Sequence, residues 1–101
     1  MPSAVVHDST SDSGIDVYGD NVGTIHNTGT GSITAQYDGI AVYGSNVAGG
    51  SILNDGTIAT IYSDGIYLRG TNEGSIVNNG TIDSGSNGIR VRGRSYGGLV
   101  G

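Results

Sequence analysis

The chain reads as all-β, a parallel β-helix or β-solenoid of about four coils with three short strands in each. Two observations predict this. The phrase Gly-Ile-x-Val/Leu-x-Gly opens at Gly14, Gly39, Gly65 and Gly88, at intervals of 25, 26 and 23 residues. Two further glycine-led phrases follow it in each unit: GTIHNTG from Gly23, GSILNDG from Gly50 and GSIVNNG from Gly74, then GSITAQYD, GTIATIYSD and GTIDSGSN from Gly31, Gly56 and Gly80. Self-similarity at this period, with β-type runs between glycines and no helical periodicity, is the mark of a solenoid.

A chain of 101 residues holds one domain. Residues 1–13 read as the tail of a repeat, 14–38, 39–64 and 65–87 as full coils, and 88–101 as the first half of another. Within each unit, alternation assigns the faces. Ile15 and Val17, Ile40 and Val42, Ile66 and Leu68, and Ile89 and Val91 point inward. So do Ile25, Ile52, Ile76 and Leu99 in the second phrase, and Ile33, Ile58 and Ile82 in the third, with Val5 supplying the corresponding strand at the start. A right-handed winding is expected, as parallel crossovers take that hand. The twenty glycines are expected at turns needing positive φ. Asn27, Asn54 and Asn78 follow the inward isoleucines by two residues, a parity that stacks them on the inner side as an amide ladder.

Composition narrows the function. The net charge is −5 with no lysine, which disfavours nucleic acid, and the absence of cysteine excludes thiolate metal sites. No apolar run approaches the ~18 residues of a membrane span, and MPSAVVHDST lacks the basic and apolar segments of a secretory signal. His7 and His26 sit in no metal spacing and beside no nucleophile, and the acids are spread singly. The residues point to no cofactor, no metal and no enzyme. Asp38, Asp64 and Asn87 each precede a glycine and suit turns.

The repeats resemble those of bacterial surface β-helices, the autotransporter passenger domains and filamentous-haemagglutinin-like adhesins. The resemblance is carried by the Asn-x-Gly-Thr-Ile runs at 54–58 and 78–82 and by the four Gly-Ile phrases, across residues 14–91. It implies an extracellular or cell-surface setting, and a surface glycan as one partner.

Outward residues form rows along the axis: Asp16, Ala41, Tyr67, Arg90; then Tyr18, Tyr43, Arg69, Arg92; then Asp20, Ser45, Thr71, Arg94. The first fifty residues hold five aspartates and no Lys or Arg, whereas the four arginines all lie beyond them. Rows that begin with Asp or Tyr and end with Arg predict head-to-tail stacking of copies, the partner being the chain itself. Arg90 would adjoin Asp16 of the next copy, Arg94 would adjoin Asp20, and Arg92 would lie over Tyr18. Ile15, Val17, Val5, Ile89, Val91 and Leu99 would be buried in that junction. The expected role is a structural subunit of an extracellular filament. The alternative is a fragment of a surface adhesin that contacts glycan or host surface.

Overall fold

The computed structural model describes residues 13–95 and 101, together with the backbone of the strands at 7–8 and 99–100. Among these residues twelve strands follow in order. They are β1 (His7–Asp8), β2 (Ile15–Val17), β3 (Thr24–Asn27), β4 (Ser32–Ala35), β5 (Ile40–Val42) and β6 (Ser51–Asn54), then β7 (Thr57–Thr60), β8 (Ile66–Leu68), β9 (Ser75–Asn78), β10 (Thr81–Asp83), β11 (Ile89–Val91) and β12 (Leu99–Val100). Every third strand lands in the same sheet. The result is three parallel four-stranded sheets, β1-β4-β7-β10, β2-β5-β8-β11 and β3-β6-β9-β12. The chain is a β-solenoid of about three complete turns, slightly fewer than the repeat count suggests, with partial coils adding one strand before and two after.

Register follows the phrases. Ile15 pairs with Ile40, Ile40 with Ile66 and Ile66 with Ile89; Val17, Val42, Leu68 and Val91 run beside them. Ile25, Ile52 and Ile76 form one more column, and Ile33, Ile58 and Ile82 another. The columns meet in a core whose middle members, Ile33, Ile40, Val42, Ile52, Ile58, Ile66, Leu68 and Ile76, are fully buried. Parallel strands stack ~4.8 Å apart, so like residues pack directly on like residues along each column.

That spacing explains the glycines differently from a need for positive φ. Among the described residues only Gly49 has positive φ, at 87°. The glycines of the Gly-Ile phrase are required by close approach. A Cβ at Gly39 would meet the γ-methyl of Ile58 and lie 2.6 Å from the carbonyl oxygen of Gly65; at Gly65 it would meet Ile82 and lie 2.7 Å from that of Gly88. Glycine stacks on glycine because the backbone of the next coil occupies the place a side chain would take.

Two expectations are corrected, and a third, on Val5, falls outside the described residues. Ala41 faces outward in its row yet is fully buried, since its methyl is too short to clear the larger residues around it. The first strand of the β4 sheet is His7–Asp8, with His7 opposite Ile33; Val5 lies outside the described residues. In β12 the backbone sets Leu99 opposite Ser75 and Val100 opposite Ile76, one residue away from the phrase alignment that gave Leu99 the inward place. The dipeptide Gly97-Gly98 allows either alignment, so the phrase alone does not fix the register.

Ile52→Asp is expected to abolish folding. Ile52 is fully buried at the centre of its column. An ionised carboxylate there costs several kcal/mol against a stability of ~5–10 kcal/mol. Loss of the β-type circular dichroism minimum and of a cooperative melt would show it.

Candidate functional site

The residues predicted to join copies separate to the two ends of the molecule. Ile15 and Val17 on β2, and Ile25 on β3, are only partly covered at the starting end; Ile82 on β10, and Ile89 and Val91 on β11, are partly covered at the other. Asp16, Tyr18 and Asp20 are exposed at the first end and Arg90, Arg92 and Arg94 at the second. The predicted rows hold, because Asp16, Ala41, Tyr67 and Arg90 are register partners. Val17 O, Val42 O and Leu68 O accept the amide hydrogens of Tyr43, Arg69 and Arg92 in turn, which aligns the second row. Asp20 Oδ1 accepts the Ser45 amide at 2.8 Å and Ser45 Oγ that of Thr71 at 3.1 Å, which aligns the third.

Arg90 has partners inside its own chain. Its guanidinium carbon lies 5.8 Å from the Tyr67 ring centroid, and Nη1 is 4.0 Å from Oδ2 of the buried Asp64. The sequence rows missed this because Asp64 belongs to the turn before β8, in a different row.

The asparagine ladder is present. Asn27 Nδ2 donates to Asn54 Oδ1 at 2.7 Å, and Asn54 Nδ2 to Asn78 Oδ1 at 2.8 Å. Each amide also donates to turn carbonyls, Asn54 to Gly56 and Thr81 at 3.2 Å. A second ladder was overlooked. Asn21 Nδ2 donates to Asn46 Oδ1 and Asn46 Nδ2 to Asn72 Oδ1, both at 2.8 Å, with all three residues buried. Its signal was available, since these asparagines stand seven residues after Gly14, Gly39 and Gly65. The acids before the Gly-Ile phrase bond the next coil rather than their own turn: Asp38 Oδ1 accepts the Asp64 amide at 3.2 Å and Ser63 Oγ at 2.7 Å, and Asp64 Oδ1 accepts the Asn87 amide at 3.0 Å.

Tyrosines make two rows on either side of the turn preceding the Gly-Ile phrase. Tyr18 stacks on Tyr43 with centroids 5.4 Å apart and planes 11° from parallel, and Tyr43 meets Tyr67 edge-on at 6.4 Å. Tyr37 and Tyr62 lie 5.8 Å apart in the other row. Between the rows a cleft of about 420 Å³ is lined by Tyr18, Tyr43, Tyr37, Asp16, Asp38, Ser13 and Ser63. Burial, then the charges of Asp16 and Asp38, then Tyr18, push the Tyr43 hydroxyl above the usual tyrosine range, while a bond with Ser13 pulls the other way.

On another face, His26 Nε2 lies 2.7 Å from Asp55 Oδ2, and Asn79 Nδ2 donates to Asp55 Oδ1 at 3.1 Å. His26 is thus paired as well as outward-facing. These bonds, that from His26 foremost, hold the Asp55 carboxyl below its usual range.

Comparison with family models, curated proteins and solved structures finds no match to this chain.

Two measurements check this account. Asn54→Ala removes the ladder donor of the half-buried Asn78 Oδ1 and the ladder acceptor of Asn27 Nδ2, which keeps its bonds to the Gly31 and Thr57 carbonyls, and is expected to cost about 1–3 kcal/mol in all. Asn79→Ala, whose ladder-like bond is exposed, is expected to cost far less in the same urea titration. For Asp55 the folded-state pKa is depressed, so its contribution is complete above the ordinary carboxylate range and is lost as pH falls through the lowered titration. The stability difference between the parent and Asp55→Asn is therefore expected to shrink on acidification; a difference independent of pH would contradict the pairing.

Proposed function

We propose that the chain is a structural subunit that adds head to tail to copies of itself, forming a filament, and that it works in an extracellular or cell-surface setting. The observation that carries this reading is the phase of the sheet edges. One end presents β1, β2 and β3 and the other β10, β11 and β12, so the edges of the three sheets meet their like when one copy follows another. β10 would receive β1, β11 would receive β2, and β12 would receive β3, with parallel pairing continued in all three sheets. Edge strands with open backbone groups are templates for pairing. Partly covered Ile15 and Val17 would then bury against Ile89 and Val91.

Most of the free energy would come from this backbone pairing and apolar burial. The exposed charge contacts would add only ~0.2–1 kcal/mol each. Their larger effect is direction, because joining two like ends sets Arg against Arg or Asp against Asp. A head-to-tail contact is heterologous, and one that closes no ring runs on as an open fibre.

The adhesin reading would have Tyr18, Tyr43, Tyr67 and the arginines contact glycan or host surface. Tyr18 stacks on Tyr43 and Tyr67 meets Tyr43 and Arg90, whereas the sheet edges at the two ends are in phase to receive a second copy. Stacking of copies is therefore the preferred reading.

Negative-stain microscopy of the purified chain is expected to show uniform thin fibres; monodisperse short particles at all concentrations would refute assembly. Arg94→Asp, at an exposed site opposite Asp20 of the next copy, is expected to slow growth several-fold in a light-scattering assay while leaving the circular dichroism unchanged. Adding Asp20→Arg to that chain is expected to restore growth. Arg94 suits this test better than Arg90, whose replacement would also remove the contacts with Asp64 and Tyr67.

A further inference from the structure

We propose that the cleft between the tyrosine rows is a binding site for an organic cation of the guanidinium class. Its volume of about 420 Å³ falls within the range of small-ligand sites. Among the described residues two carboxylates, Asp16 and Asp38, line it, and no lysine or arginine does. The Tyr43 hydroxyl in the same cleft is raised first by burial and then by the charges of both carboxylates.

The aromatic groups sharpen the choice of ligand. Tyr18 is 80% exposed and Tyr37 46%, so both keep ring surface open to a ligand even though Tyr18 stacks on Tyr43. A cation over a tyrosine face is attracted by the ring's quadrupole, and a planar guanidinium also stacks. A neutral saccharide would use the rings but gain nothing from two full negative charges. An anion would be repelled.

The same chain supplies a precedent further along the axis. There a guanidinium, that of Arg90, sits 5.8 Å from the Tyr67 ring and 4.0 Å from the carboxylate of Asp64. Asp64 and Asp38 are equivalent turn residues, each directly before a Gly-Ile phrase and joined by the Asp64 amide on Asp38 Oδ1. The cleft thus repeats the combination of tyrosine and turn aspartate, with a second carboxylate from Asp16 and no arginine of its own lining it.

This inference does not rest on assembly, which would bring Arg90 of the adjoining copy to Asp16 and its Arg92 over Tyr18, so its test is run on the Arg94→Asp chain at concentrations where it sediments as a monomer. Methylguanidinium is titrated against methylurea, its neutral near-isostere, and methyl glucoside, with amide chemical shifts as the readout. Saturable shifts confined to the segments around Asp16, Tyr18, Tyr37 and Asp38 are expected with methylguanidinium alone. Asp16→Asn, at an exposed position, is expected to weaken binding several-fold, and Tyr37→Ala likewise, whereas Arg92→Asp leaves it unweakened. Equal shifts from methylurea or methyl glucoside would overturn the cationic preference. Absence of a saturable response, or binding that ignores both cleft substitutions, would overturn the site itself.

Discussion

Everything in this molecule answers to the distance between coils. Parallel strands pair at ~4.8 Å, and a side chain that stacks on its counterpart one coil away must fit that interval. Isoleucine and valine do so as columns of γ- and δ-methyl groups. Asparagine does so by passing one amide hydrogen to the oxygen above, at 2.7 to 2.8 Å. Glycine does so where the neighbouring backbone comes nearer still, as Gly39 does under Gly65. The three solutions alternate round each coil, and their recurrence gives the sequence its period.

The core is narrow, so it has no second layer to absorb an error. Each fully buried isoleucine packs within its column and against the columns of the other two sheets. Polar groups at the corners are satisfied by the two ladders and by the acids at Asp38 and Asp64, which hold the amide of the following coil. Corners are thus fastened along the axis by side chains while the flat faces are fastened by backbone. Function, on the reading preferred here, uses what those fastenings leave over: open sheet edges at the ends and a lined cleft on one flank.

Much of this was legible in the sequence. The inward columns could be read because alternation and glycine punctuation recur in register, and residues such as Ile33, Ile52 and Ile66 fell where they were placed. Asn27, Asn54 and Asn78 were visible through parity with their isoleucines. Asn21, Asn46 and Asn72 were equally periodic but stand outside the strands, where alternation says nothing of direction. Ala41 was misjudged because parity gives the direction of a side chain and not the height of its neighbours. The cleft could not be read at all. Its walls come from both ends of one unit, Asp16 and Tyr18 with Tyr37 and Asp38, and from Tyr43 in the opening phrase of the next, and a row-by-row reading never sets those side by side. The pairing of His26 with Asp55 escaped for the same reason, since it runs diagonally between coils.

In both ladders the hand-over runs one way. The earlier coil gives its amide hydrogen and the later coil takes it, so the amide dipoles line up along the axis. At the starting end this leaves Asn27 Oδ1 buried and, among the described residues, without a donor. The interior therefore carries an arrow of its own, independent of the formal charges outside. Surface arginines and aspartates are screened over ~8 Å at physiological salt. Buried amides are shielded from that ionic atmosphere, so the molecule keeps its sense of up and down in brine as well as in dilute buffer.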